Sequence, residues 1–405
     1  FRPNPLGQYT AADLGLSTAA AKGQMDLVSK DFRLPKIFRA SLAIDKKLKD
    51  NWSITVEGSF SKNINEIYYR RLDINPPVAQ LSGPDNRYIY NLTRIGYPAG
   101  SGITAGSNPY TGVFLLENQP YYRRSGFAYN FTASIDKSWT DGFSFNAFYT
   151  YGASFVTHEP TSSQNNSQWR FMETVNGRND VQRSRSDFDL GHRVSAFIAK
   201  KFTYAKGALA STFSLVYNGQ SGNPFSYVYA TGPVRDQGTS ETNDLIFIPT
   251  ADQIKAMTFV TNSSFPLSPA QQAAALENYI AQDNYLSKNR GKYAERNGAR
   301  LPFTNIIDVK FLQDFNVKIY NKKYQFQLTY DVFNFTNMLN RNWGRTYFMS
   351  NDQTSIIKYQ GATGSTVPSY SFSPVANNTP WGISSSTAPS YSARWVSQLG
   401  LRFKF

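Results

Sequence analysis

The chain has 405 residues, 15% of them aromatic, with a mean hydropathy of -0.45, and no run approaches the roughly 18 apolar residues that a membrane helix needs, which excludes a helical membrane protein. It holds no cysteine, so disulfide, thiolate and zinc-thiolate chemistry are excluded with it. Lys and Arg number 42 against 28 acids, a net charge of +14, but they are scattered and no nucleic-acid motif accompanies them, so nucleic acid is not an expected partner; anionic lipid headgroups suit the same charge.

After an extended, Pro- and Gly-bearing start, FRPNPLGQYT, the chain alternates. Apolar and polar residues change places at every step in a series of segments, the mark of strands with one apolar and one polar face. In chain order these are Ala40 to Ile44, Trp52 to Ser61, Phe127 to Asp136, Phe143 to Gly152, Val194 to Ile198, Leu209 to Tyr217, Ile307 to Phe315, Tyr324 to Val332 and Trp395 to Phe405. Nine strands are expected. A helical membrane span is excluded, but a membrane β-barrel is not, because its lipid face uses only every other residue.

The connectors carry a second signal. DKKLKDN, DKSWTDG, AKKFTYAKGA and NVKIYNKK are short and contain hairpin residues such as Asp50-Asn51, Asp141-Gly142 and Lys206-Gly207. Between them lie long connectors over roughly residues 61 to 126, 153 to 191, 218 to 305 and 334 to 394. Short and long alternate strictly, so an up-and-down meander places every long connector at one end, as outer-membrane barrels do, whereas compact soluble domains rarely hold such loops. The expected fold is therefore all-β, an antiparallel up-and-down transmembrane β-barrel with long extracellular loops. One loop carries a short helix: in SPAQQAAALENYIAQ, Ser268 is the N-cap, Pro269 the first helical residue, and Ala273, Leu276 and Ile280 repeat at helical spacing. An odd strand count leaves open edges, which hydrocarbon does not tolerate, so residues 1 to 405 are expected to be one partial barrel domain, the C-terminal part of a larger barrel whose plug and earlier strands are absent.

Candidate contacts for an extracellular ligand are the loop aromatics Tyr110, Tyr121, Tyr122, Trp169, Phe225, Tyr227 and Tyr229, with Arg123, Arg124, Arg183 and Arg185 for anionic groups. The alternative is that these aromatics pack the loops on one another. Asp236, Glu241 and Asp244 are read as solvated loop acids, since their spacing lacks the ligand pattern of an EF-hand; Asp308, Asp314 and Asp331 are expected to pair with lysine or arginine inside a barrel. His158 beside Glu159 is the nearest approach to a catalytic dyad, and neighbours on an extended chain point apart, so no enzyme, cofactor or metal is expected.

The stretch DVFNFTNMLNRNWG, Asp331 to Gly344, followed by a terminal strand ending in an aromatic, resembles the last strands of TonB-dependent outer-membrane receptors. SGNPFSYVY and RNGARLPFTNIIDVKFLQDF are similar to segments of their Oar-like branch in Bacteroidetes-type bacteria. The resemblance implies a barrel of about twenty-two strands with a plugged lumen, set in the outer membrane among lipid and lipopolysaccharide. It also implies uptake of a nutrient such as a peptide, metal chelate or glycan fragment, driven by the TonB complex acting on an N-terminal plug that these residues do not include. Trp395, Leu399, Leu401, Phe403 and Phe405 look like the signal read by the barrel-assembly machinery. An adhesin or structural barrel, and a passive porin, are the rival readings.

Overall fold

The computed structural model describes residues 23–90, 110–236, 242–320, 322–363, 366–374, 379–383 and 393–404. Nine long strands dominate it: β1 (Lys36–Lys47), β2 (Trp52–Asn65), β3 (Phe127–Ser138), β4 (Phe143–Val156), β5 (Gly191–Tyr204), β6 (Leu209–Gln220), β7 (Thr304–Ile319), β8 (Lys322–Phe333) and β9 (Val396–Lys404). They pair antiparallel in sequence order into one meander. These are the nine strands that the alternation predicts. Among the described residues β1 and β9 each pair on one side only, so the nine form an open sheet.

The strands run further into the short connectors than the alternation suggests. β5 continues to Tyr204, through residues assigned above to a turn, because backbone pairing with β6 persists although lysines interrupt the side-chain pattern. The reversals themselves are tight and left-handed: Asp50 and Asn51 (φ 58 and 60), Ala205 and Lys206 (φ 52 and 53) and Tyr320 (φ 53) take the positive values that match strand twist. Gly142 (φ 86) is required in the β3–β4 turn, since a Cβ there would stand 2.6 Å from the Lys201 carbonyl oxygen.

The register turns alternation into continuous rows. One reads Phe145, Ile198, Leu215, Val309 and Val332 across β4 to β8; another reads Phe213, Phe311, Tyr330 and Leu399 across β6 to β9. Aliphatic and aromatic side chains share the middle of this face, and close aromatic pairs mark both its ends. Towards the short turns Trp52 and Trp139 meet edge to face at 5.8 Å, and Phe326 and Phe403 pack at 4.7 Å. Towards the long connectors Phe127 and Phe155 stack at 4.8 Å and Tyr129 lies 6.1 Å from Tyr151. An apolar band between two aromatic girdles is the surface that a bilayer wets. No second layer covers it among the described residues: Phe131, Phe326, Leu399 and Leu401 remain 45%, 42%, 70% and 78% exposed. The opposite face carries Thr55, Ser134, Phe148, Ser195 and Asn218 in one row and Thr212, Leu312 and Thr329 in another, a mainly polar surface.

The long connectors are not loose loops. All four contribute to one apolar core: Leu81 and Ile89 from the first, Val175 from the second, Tyr227, Ile246, Leu276 and Ile280 from the third, and Ile357, Tyr359 and Phe372 from the fourth. A mixed five-stranded sheet runs through it, in the order Thr258–Phe259, Val367–Phe372, Gln353–Thr363, Pro224–Tyr229 and Ala299–Arg300. Against it packs α3 (Pro269–Gln282), the third helix after α1 (Asn165–Arg170) and α2 (Ala251–Ala256). The α3 helix is the predicted one, and the Ser268 hydroxyl and Gln271 amide close a capping box at its start. It is not isolated: Leu276 and Ile280 are fully buried, and the Gln272 side chain bonds three backbone groups of neighbouring segments. We call this connector assembly the cap. It buries Trp169, Phe225, Tyr227 and Tyr229 because four connectors must share one core to be ordered at all.

Candidate functional site

The ligand-contact expectation gives way at four positions. Trp169 is fully buried, and its indole N–H donates to the Asn179 side-chain oxygen at 2.8 Å. Phe225 packs on Tyr227 at 5.2 Å, and the Tyr227 hydroxyl donates to Asp283 at 2.7 Å. The Tyr229 hydroxyl donates to Asp85 at 2.8 Å, with the Arg87 guanidinium 5.0 Å over its ring. These rings hold the cap together and do not reach solvent. The side chain of Tyr110 lies outside the described residues, as do Phe405 and Glu241.

Two more expectations change for the same reason, burial. Asp236 and Asp244 are not solvated: Asp236 is ion-paired with Arg178, and Asp244 accepts from the Val234 amide at 2.8 Å. Burial lifts the Asp244 carboxyl to about 6, against the pull of Arg178 and Arg87. Of the strand acids, Asp331 pairs with Lys310 at 2.9 Å as expected, whereas Asp308 accepts the Asn334 amide at 2.7 Å and Asp314 the Gln327 side-chain amide at 2.7 Å. Conformation and a side-chain bond explain the first asparagine of the DVFNFTNMLNRNWG motif. Asn334 takes a left-handed conformation (φ 55) to end β8 and start α4 (Phe335–Leu339), and its amide holds the Gly344 carbonyl at 2.8 Å. Leu399, Leu401 and Phe403 lie on the apolar face in register with Tyr330, Leu328 and Phe326, and Trp395 precedes β9.

His158 and Glu159 do not form a dyad. The imidazole is buried between Tyr68 and Tyr69, with ring centroids 4.7 and 5.4 Å away, and neither of its nitrogens has a hydrogen-bond partner among the described residues. The Glu159 carboxylate instead accepts the Asp187 amide at 3.0 Å. Burial, helped by Arg296, pushes the His158 pKa down to about 3. Since the unfolded chain takes up this proton near pH 6.5, stability present above that value is lost as pH falls towards 3. Thermal unfolding between these limits should show a pH slope that His158→Phe reduces, by up to about 1.4 kcal/mol per pH unit; an unchanged slope would show that this ring is not the group responsible.

Two cavities lie where the cap meets the outer ends of the strands, and the register separates them. The outer cavity, about 610 Å³, has Phe127 and Phe155 as its sheet-side wall, both of the apolar-face parity, with Arg183 and Arg185 beside them; Glu173, Tyr293, Glu295 and Arg296 approach from the cap. Desolvation in the cavity lifts the Glu173 carboxyl to about 7, with Arg296 opposing. The inner cavity, about 490 Å³, has Arg193 and Gln220 as its sheet-side wall, cross-strand partners on the polar face. Phe188 and Leu190 stand exposed beside it, with Asp187 next in sequence and Asp352 from the fourth connector. Burial, and then the Asp187 charge, push the Asp352 carboxyl up.

Arg183 and Arg185 are therefore brought into a site. Tyr121, Tyr122, Arg123 and Arg124 are exposed next to it: Arg183 donates to the Arg123 carbonyl at 2.7 Å, and Arg124 pairs with Asp180 at 3.1 Å. Sequence reading missed the inner-cavity residues Asp187, Phe188, Leu190, Arg193 and Asp352. The alternation of acid and apolar side chains in SDFDLG was the available signal, and it sat inside a stretch read only as connector.

No curated protein matches the chain. The profile of a family described as Outer membrane beta barrel domain matches residues 2–368, in accord with the meander, the banded apolar face and the capped outer end, and the chain belongs to that outer-membrane β-barrel family.

Proposed function

We propose that this chain forms wall and cap of an outer-membrane receptor of the TonB-dependent, Oar-like kind, which captures a nutrient at its outer face for energised import. The observation that carries this reading is the inner cavity. It opens on the polar face, which a closed barrel turns to its lumen, and its walls come from both the strands and the folded cap. The neighbouring carboxylates Asp187 and Asp352, the Arg193 guanidinium and the apolar Phe188 and Leu190 match a zwitterionic, partly apolar ligand, so a peptide fits better than a glycan fragment or metal chelate. The chain binds and passes its ligand without transforming it, and its strand β9 serves the barrel-assembly machinery as a recognition element.

Uptake of labelled short peptides by cells carrying the full-length receptor tests this. Uptake should vanish when the inner membrane is de-energised, and should fall several-fold in Asp352→Asn and Arg193→Ala cells with normal surface levels. Uptake that survives de-energisation would make the protein a passive porin. Cell-surface attachment without uptake would make it an adhesin.

A further inference from the structure

The outermost row of the apolar face ends in cations. Lys62 pairs across the sheet with Phe127, Phe127 with Phe155, and Phe155 with Arg185, so these four side chains stand side by side on the parity of the bilayer-wetted rows. Arg183, two residues before Arg185, lies 4.9 Å over the Phe127 ring; Arg185 lies 5.3 Å over Phe155, and the Lys62 ammonium 4.9 Å over Tyr122. Towards the membrane interior the next aromatics are Tyr129 and Tyr151. Cations thus crown the outer aromatic girdle on its membrane side, where the headgroups of the outer leaflet lie.

These charges are only partly answered within the protein, where the field of the Glu66 carboxylate reaches Lys62. Lys62 and Arg183 both donate to the Ser125 carbonyl, at 2.5 and 3.3 Å, and among the described residues neither forms an ion pair. Arg123 is exposed beside them. Arg185 is held by Asp189 at 3.0 Å, a carboxylate that Arg300 also engages. The acids of the outer cavity, Asp180, Glu173 and Glu295, come from connector segments and not from the strands, and Asp180 is answered by Arg124.

We infer that Lys62, Arg123, Arg183 and Arg185 form a binding site for the phosphate groups of a glycolipid of the outer leaflet, with the Tyr122, Phe127 and Phe155 rings against its sugar and upper acyl portions. A sugar phosphate needs both elements: fixed cations for the charge and flat apolar surface for the ring. The outer cavity, roofed by the cap, supplies room for a bulky headgroup. The inference rests on the membrane placement of the apolar face and not on the import reading, so it survives if no peptide is transported.

The test uses the full-length protein in nanodiscs, with bisphosphorylated lipid A and its enzymatically dephosphorylated form as probes, and bound lipid counted by native mass spectrometry. Phosphorylated lipid should remain bound where the dephosphorylated form washes off, and millimolar inorganic phosphate should not displace it. Lys62→Gln with Arg183→Gln should weaken retention by about tenfold or more, whereas Lys46→Gln with Lys200→Gln, at the opposite end of the same face, should not. Because Lys62 and Arg183 also fasten the 121–125 turn, Arg123→Gln provides a second variant that leaves it intact, and a smaller loss is expected from it. Equal retention of the two lipid forms by the wild-type protein overturns the site without recourse to any variant, and so does an outer-end pair that retains lipid as its inner-end control does.

Discussion

Leu215→Arg is expected to impair insertion of the barrel by about 2–4 kcal/mol, the cost of a cation near the bilayer midplane on a lipid-facing strand position, while Ser214→Arg, one residue earlier, costs little. Leu215 stands in the aliphatic row between Ile198 and Val309, whereas Ser214 pairs with Ala199 and Lys310 on the other face. Both place the same arginine at adjacent positions of one strand, so the added charge cancels between them and the face it meets is the main difference. Refolding yield into lipid vesicles, scored by heat-modifiable mobility, provides the measurement. Equal losses at both positions would mean that depth, or the strand itself, and not the face, sets the penalty.

Arg178→Leu is expected to destabilise the cap by about 3–5 kcal/mol, because breaking a buried ion pair leaves its partner charged and unanswered. Arg178 is 1% exposed, is ion-paired with Asp236 and donates to the Arg170 carbonyl at 2.9 Å. It also restrains Asp244, whose carboxyl burial already lifts to about 6. Without Arg178 that value rises further. A raised carboxyl pKa favours the folded state at low pH and loses that contribution as pH rises through it, so the variant should be less damaged at about pH 5 than at about pH 8. Limited proteolysis of the cap reads the effect, since the strands are protected by the membrane. Adding Asp236→Leu should restore part of the loss; if it does not, Arg178 acts through contacts other than this pair.

The strands were legible because a two-residue period recurs in all nine segments, and because strict alternation of short and long connectors fixes which end is which. Helix α3 was legible from its cap and spacing alone. The cap as a folded unit was not. Its core draws Leu81, Val175, Leu276 and Tyr359 from four connectors separated by whole strands, and no local pattern announces contacts of that range. The same blindness explains the misplaced aromatics: Tyr227 and Tyr229 alternate with Ser226 and Val228 as a surface strand would, yet all four are buried because the cap covers both faces of that short strand. Arg183 and Arg185 were picked for charge, and only the register of Arg185 with Phe155 and the contact of Arg183 with the Phe127 ring assign them to the membrane side.

The claim beneath all of this is that hydrocarbon, not protein, contacts the apolar rows. The sequence has no cysteine, so single cysteines can be placed along β6 and spin-labelled in the membrane-embedded protein. Labels at Phe213, Leu215 and Tyr217 should collide freely with dissolved oxygen and hardly at all with a water-soluble nickel chelate, and labels at Thr212, Ser214 and Asn218 should not share that preference. Labels at both parities that are shielded from oxygen and nickel alike would place Phe213 and Leu215 inside a protein core, and would contradict the account.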